Sequence, residues 1–534
     1  MPKPISTDNS DFPKLREKGC LYVDKTAYFH KLLTGADDCF FLARPRRFGK
    51  SLMISTFKAI FEGRKELFGD LAIAKTDWRW EKYPVMYFNL GFPAASTSAA
   101  EFAARFPGLV ENAVRQAGGE YDAGKDCVEN FGNAIDELSA QNGGRGVVIL
   151  IDEYDDPVAR LLDKRNDAEQ VREMLAAFYG QMKDRTGAIR FLMITGVSKF
   201  TKMSVFSALS NLVDLSFKDD YATMLGYTEA ELDEYFDAPM RAHAKLLGLE
   251  YGAYRQELKR WFNGYRFGKH SEETVYNPIS IGNNLACPTP EFSPYWSTTG
   301  KSSMLMNYLK KEEVGDLDME NVQDVSMDDF DVTDLRDLRT VAMLYQTGYL
   351  TIRDFDPMLQ TFTLRVPDEE VRRDLAALTA AIIANHTTNW VSALARKLLK
   401  AKWPEFFAGL RALYAGLPYG PKEGVVHEFS YERVLMTLLK SQGVQCRAED
   451  RQANGQADVV AEHPCGIYVF ELKVGESAEA ALDQVRKKGY DAPYRADGRP
   501  VWLVGLSFDR ETRQLADAKA ERLTSNNHSC EAER

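Results

Sequence analysis

A chain of 534 residues, 45% hydrophobic and 11% aromatic, has room for several cores, because single cores rarely grow beyond about 250–300 residues; roughly three or four domains are expected. The net charge of -11 excludes a protein that coats nucleic acid through one broad basic surface, since phosphate contacts need clustered Lys and Arg, but it leaves room for a local basic groove or a metal-dependent nuclease site. Met1 to Asp11 holds no apolar run for a signal peptide, and the longest apolar stretches, such as Val147 to Ile151, are too short to span a bilayer. The seven cysteines, Cys20, Cys39, Cys127, Cys287, Cys446, Cys465 and Cys530, show no CxxC or adjacent His pattern. A soluble, unsecreted chain with reduced thiols and no zinc site is expected.

Over the first 220 residues, short apolar runs alternate with helical patterns, which predicts an α/β unit with a mostly parallel sheet. The runs are Cys39 to Ala43, Val85 to Leu90, Val147 to Ile151 and Phe191 to Thr195. The helical stretches include Ser51 to Glu62, with Met53, Phe57, Ile60 and Phe61 on one face, and Ala168 to Lys183.

The first run leads into Arg44-Pro45-Arg46-Arg47-Phe48-Gly49-Lys50-Ser51 and then a helix, the order a P-loop requires. Gly49 lets backbone approach phosphate, Lys50 neutralises β and γ charge, Ser51 can hold Mg²⁺, and Arg46, Arg47, Phe48 and Leu52 complete the candidate ATP-binding segment. Arg44 stands where the usual pattern has its first glycine, which leaves the loop shape open, since glycine tolerates a positive φ and arginine does not do so readily. Val147 to Ile151 ends in Asp152-Glu153. Asp152 is the candidate for the Mg²⁺ shell and Glu153 for orienting the attacking water; the alternative is a solvated turn. Phe191 to Thr195 runs into Gly196-Val197-Ser198-Lys199. If that strand lies between the other two, Thr195 or Ser198 is placed as a γ-phosphate sensor, the alternative being a strand-end turn. Lys199, Lys202 and Arg190 are further candidate charge-stabilising groups.

Thr228-Glu229-Ala230-Glu231 reads as an N-cap and capping box, opening a lid-like helical segment. Tyr276 to Thr299 is rich in Pro, Asn, Ser and Thr and reads as loop and linker. Residues 335–366 read as a helix ending at Gly348 and a hairpin turning at Asp356-Pro357, which predicts either a winged-helix element or a hairpin that packs on neighbouring helices.

Near the C-terminus an apolar helix, Tyr431 to Lys440, precedes two strand-like segments. The first carries Asp458, the second Glu471-Leu472-Lys473. Glu471 and Lys473, two apart, share a strand face. Two close carboxylates, Asp458 and Glu471, would bind Mg²⁺ or Mn²⁺ and lower the pKa of a bound water, with Lys473 orienting it for phosphodiester cleavage. The next helix places Ala478, Ala481, Leu482 and Val485 on one face with Gln484 beside them. Glu428 or Glu432 would be an added ligand or surface charge.

These motifs together resemble the bacterial and archaeal AAA-ATPase-like family whose members carry a C-terminal PD-(D/E)XK nuclease superfamily domain. The resemblance spans nearly the whole chain: Tyr22-Val23-Asp24-Lys25-Thr26, Arg44 to Leu52, Asp152-Glu153-Tyr154-Asp155, Thr195 to Phe200, Trp261-Phe262-Asn263-Gly264-Tyr265, Tyr276-Asn277-Pro278, Gln346 to Thr351, and the series Asp458, Glu471, Lys473, Gln484, Tyr490. The Arg44 loop resembles the family's own form, and Ala457 stands at the signature proline. The resemblance implies a bacterial cytoplasmic setting.

The expected architecture is multidomain α/β: a P-loop AAA-like core over 1–225, a helical lid and linker over 226–300, the winged-helix element over 301–375, a helical spacer over 376–425, a nuclease-like domain over 426–515 and a polar tail over 516–534. The expected function is ATP binding and hydrolysis with Mg²⁺-dependent cleavage of DNA or RNA, in defence or mobile-element biology, without a membrane partner and with oligomer formation open. The alternative is a nucleotide-controlled binding switch whose nuclease-like domain is inactive.

Overall fold

A computed structural model describes residues 3–7, 9–91, 98–199, 209, 211–296, 319–330, 339–416, 428–452 and 455–523, without the side chains of 428–430, 449–452 and 455–456. The chain divides into two compact units, Met1–Glu370 and Val371–Arg534. Lys202 and Phe200 lie outside the described residues.

In the first unit, β1 (Cys39–Ala43), β2 (Val85–Asn89), β3 (Val147–Asp152), β4 (Ile189–Gly196) and β5 (Val213–Asp214) form a parallel sheet in the order β2-β3-β4-β1-β5. β1, β3 and nearly all of β4 are buried, as expected of strands covered on both faces. Two-residue β5 has no apolar pattern to betray it. On one side, helix Lys50–Phe61 sets Phe57 and Phe61 against Phe191, ring centroids 5.0 and 5.1 Å apart. Elsewhere Phe178 from helix Arg165–Lys183 stacks on Phe131 at 4.2 Å and meets Phe88 at 5.2 Å. Each such buried ring contributes about 1.5–3 kcal/mol.

The lid opens on helix Glu229–Leu246 with its capping box formed in both directions. Helix Tyr251–Phe262 follows, then a β6–β7 pair (Asn263–Tyr265, Val275–Tyr276). Part of the stretch that reads as linker is instead the helix Pro278–Ala286: Asn277 Oδ1 accepts from the amides of Ile279 and Ser280, so the Asn-Pro pair is a start signal rather than a breaker.

Helix Thr340–Thr347 ends on Gly348 at φ 92. The hairpin β9 (Thr351–Asp356) and β10 (Thr361–Arg365) is joined by β8 (Val322–Ser326) in the order β8-β10-β9. Phe362 packs on Phe355, Phe330 and Phe217. The remainder of a winged helix would have to come from 297–318 and 331–338, outside the described residues.

The division between units falls within helix Glu369–Ile383. In the second unit β11 (Gln445–Gln452), β12 (Gly455–His463), β13 (Gly466–Val474), β14 (Val501–Phe508) and β15 (Leu515–Arg522) form a sheet in that order, antiparallel except for β13–β14. Alternation sends Val459 and Phe470 to one core and Val460 and Val469 to the other, as period-two strands require. Leu394, Phe406, Leu410 and Leu413, from the segment that reads as a spacer, belong to the first of these cores. The segment from 516, expected as a polar tail, continues as strand to Arg522; its Asp517, Lys519 and Glu521 suit an exposed edge.

Candidate nucleotide and nuclease sites

β4 lies between β1 and β3, so the tips of all three meet at one sheet edge, where α/β sheets bind ligands. The loop after β1 takes its positive φ angles at Arg47 (70°) and Gly49 (87°). Arg44 escapes that strain and does different work. Buried to 2% exposure, its guanidinium donates to the carbonyls of Ala43, Ser216 and Tyr221 and lies 4.2 Å from the centroid of Phe267. Burial lowers its pKa to about 10. Phe48 meets Tyr265 and Phe267 edge-on at 4.8 and 5.2 Å, so loop and lid share an aromatic seam.

Lys50 Nζ donates to the carbonyls of Arg44 and Pro45, both at 2.9 Å. Burial drives its ammonium down to about 8, against the opposing pull of Asp152, Asp155 and Glu153. Asp152 Oδ1 accepts from the Glu153 amide at 3.0 Å, the Ser51 hydroxyl is near enough to the same carboxylate to lower its proton affinity, and buried Oδ2 has no hydrogen-bond partner among the described residues. Burial raises the Asp152 pKa. Glu153, at φ 53, is also raised by burial, then by Asp156 and Asp152. A Cβ on Gly91 would overlap the Glu153 carboxylate and lie 2.9 Å from Asn89 Oδ1. Glu153 thus points toward the β2 tip, and Asn89, a polar residue ending an apolar strand, was the sequence signal for this neighbour.

The sensor candidates are engaged within the protein. Thr195 Oγ1 donates to Leu42 O at 2.9 Å. Ser198 donates through both its amide and its hydroxyl to Asp155, which also accepts from the Val197 amide. Burial raises the Asp155 pKa. Lys199 pairs with Asp214 at 2.7 Å over the Phe217 ring. Arg190 sits at the opposite, starting end of β4, paired with Asp38. Arg46 and Arg47 remain on the loop, while Leu52 lies in the first turn of its helix, partly buried. These residues fit Mg²⁺ and a nucleotide: among the described residues, a buried carboxylate oxygen without a partner, an adjacent hydroxyl, and a buried amine hydrogen-bonded to loop carbonyls lie at the start of a twelve-residue helix.

In the second unit, β13 carries Glu471 at 1% exposure. Its Oε1 accepts from Lys473 Nζ at 3.0 Å and from Gln484 Nε2 on helix Ala478–Lys488. On the neighbouring strand Asp458 Oδ2 accepts from the Leu472 amide at 2.7 Å. Asp458, Glu471, Lys473 and Gln484 therefore converge. Two carboxylates beside a lysine fit a divalent ion whose other ligands are water and substrate. Among the described residues no three His, Cys, Asp or Glu side chains form a metal cage, so buried Glu432 does not join them as a third; the Glu428 side chain lies outside the described residues.

Residues 4–206 match a family described as "Predicted AAA-ATPase", and 426–518 match the PD-(D/E)XK nuclease superfamily. An "Uncharacterized protein in vnfD 5'region" of Azotobacter chroococcum mcd 1 is 32% identical over 529 residues, 96% of this chain and 98% of the relative. The chain belongs to the AAA-ATPase-like family that ends in a PD-(D/E)XK nuclease superfamily domain. No solved structure matches it. In this AAA-ATPase-like protein β1 to β4 of the parallel sheet fall inside the first match and the short β5 just beyond it, and all but the end of the last strand of the mixed sheet falls inside the second. Among the described residues no helix is long and apolar enough to cross a membrane.

Proposed function

We propose that this AAA-ATPase-like protein binds and hydrolyses ATP with Mg²⁺ and cleaves DNA or RNA through its C-terminal unit, nucleotide state gating the cleavage. The observation that carries the first half is buried, unpartnered Asp152 Oδ2 at the tip of β3, with Ser51 on the same carboxylate and Lys50 beside it. Lys50 neutralises phosphate charge, Ser51 and Asp152 hold the ion, and Glu153 orients water. The second half is supported by the convergence of Lys473 and Gln484 on Glu471 beside Asp458. A divalent ion there supplies an acidified water. Asp458 and Glu471 bind and orient it, Gln484 fixes the Glu471 carboxylate, and Lys473 places a positive charge beside the scissile phosphate.

The test is cleavage of linear, circular and single-stranded DNA and of RNA with Mn²⁺, with and without ATP, alongside Asp458→Ala and Lys50→Ala. Cutting lost in Asp458→Ala and altered by ATP is expected. No cutting in any nucleotide state would remove the nuclease half of this reading.

A further inference from the structure

We propose that Arg46 stabilises the charge that builds on the transferring phosphoryl group, so that the nucleotide loop supplies its own arginine in cis. This rests on the hydrolysis reading above and deepens it.

Arg46 is three residues past β1, and its side chain is 45% exposed. Its one short-range partner among the described residues is loose: Nη2 sits 3.4 Å from Asp156 Oδ1. The other oxygen of that carboxylate is held by Arg160 at 2.7 Å. Asp156 therefore keeps a cation when Arg46 leaves, and no buried charge is stranded by the movement. The position is also right. Arg46 is near enough to Lys50 for its charge to lower the amine's proton affinity, and Asp156 is near enough to Glu153 to raise that carboxyl. Arg46 thus lies within electrostatic range of the amine that holds the phosphates, and it contacts Asp156, which lies within range of the carboxylate that would orient water.

The other described cations near the tips are committed elsewhere. Arg44 is enclosed and spends its donors on three backbone carbonyls. Lys199 is 3% exposed and paired with Asp214 at 2.7 Å, and Arg190 is at the far end of its strand. Arg47 is drawn by the opposite charge of Glu370.

In the step, water oxygen bonds the γ-phosphorus while the bond to the β–γ bridging oxygen breaks and its electron pair stays on ADP. The water proton passes to phosphate or solvent. Arg46 keeps all its protons, and its fork meets the equatorial oxygens, where charge is spread in the transition state.

The experiment uses the full chain with Mg²⁺ and measures ATP turnover together with binding of ATP, ADP and ADP plus aluminium fluoride, for wild type, Arg46→Ala, Arg46→Lys and Lys50→Ala. Arg46→Ala is expected to lower kcat on the order of 10³-fold while ATP affinity stays within about threefold, the pattern of an interaction made only in the transition state. It should also lose tighter binding of ADP with aluminium fluoride, and Arg46→Lys should recover little, since a point charge lacks the fork. Equal loss of ATP affinity and turnover, as for Lys50→Ala, would overturn the assignment. So would a preference for aluminium fluoride that survives Arg46→Ala, or rescue of Arg46→Ala by added Lys50→Ala chain, which would place the arginine in trans. Wild-type protein that binds ATP without turnover or aluminium fluoride preference would sink the hydrolysis reading and this assignment together.

Discussion

Gly348 packs against Pro45 so closely that a Cβ at 348 would lie 2.7 Å from the Pro45 Cβ. The nucleotide loop is therefore braced by a residue some three hundred positions away. Tyr265 completes the brace: its hydroxyl donates to Gly348 O at 3.0 Å while its ring meets Phe48. Gly348 also sits at φ 92, where a side chain costs about 1–2 kcal/mol before any overlap is counted. Gly348→Ala should lower the unfolding free energy, read by chemical denaturation, by at least that much and weaken ATP binding, because Pro45 O is one of the two carbonyls holding Lys50. Unchanged stability and affinity would show the brace to be idle.

Lys50 gives a pH test. In the folded protein its pKa is about 8, lowered chiefly by burial. A lowered amine means that between about 8 and the unfolded value the unfolded chain binds more protons, so this group makes stability rise with pH across that window and leaves it flat below. Phosphate beside Lys50 favours the ammonium, so ATP binding above pH 8 should take up a proton and weaken as pH rises. Calorimetry in buffers of different ionisation enthalpy reads that uptake. Lys50→Arg, charged throughout, should abolish it, and uptake that persists in this variant would assign the proton to another group.

What the sequence made legible was local. Strand, loop and helix around Lys50 announce themselves within twenty residues, and Asp152-Glu153 follows an unbroken apolar run, so both could be placed before any contact was known. The second site was readable because Glu471 and Lys473 share a strand and Asp458 lies on its neighbour. Partners set by long-range packing were not. Nothing near Arg44 says that its guanidinium will be spent on Ser216 and Tyr221 carbonyls, or that the Thr195 hydroxyl will be taken by Leu42. Polar elements misled in the same way. Asn277-Pro278 reads as linker until a helix is seen to follow, and β15 alternates Ala516, Ala518 and Ala520 with Asp517, Lys519 and Glu521, an apolar face of alanines too weak to set a strand apart from a polar tail.

Lys25 ties the start of the chain to the lid. Its Nζ lies 2.6 Å from Glu231 Oε1 and donates to Thr223 O at 2.8 Å, and Glu231 also closes the capping box on Thr228. The pair is largely buried, so Lys25→Met, which strands a carboxylate, should cost about 3–5 kcal/mol. Glu231→Gln keeps a capping side chain and should cost less. In a double-mutant cycle by chemical denaturation the coupling should exceed about 1 kcal/mol. Additive single effects would mean that Thr223 and solvent, rather than Glu231, carry the Lys25 charge.

The nuclease-like cluster makes a prediction that does not depend on finding its substrate. Lys473→Ala removes the cation from a carboxylate that is 1% exposed, leaving Gln484 as an amide donor, so destabilisation toward the lower end of about 3–5 kcal/mol is expected. Glu471→Gln removes the charge itself; Lys473, at 17% exposure, can turn to water, and the fold should lose much less. A divalent ion that binds the folded site stabilises it by RT ln(1 + [L]/Kd). Mn²⁺ should therefore raise the unfolding midpoint of the C-terminal transition in the wild type and in Asp152→Asn, where only the nucleotide site is altered, and should fail to do so in Glu471→Gln. The Lys473→Ala variant should recover part of its lost stability with Mn²⁺, because the ion takes over the charge that Lys473 had balanced. If Glu471→Gln responds to Mn²⁺ as strongly as the wild type, the ion binds elsewhere and the convergence of Asp458, Glu471, Lys473 and Gln484 is structural.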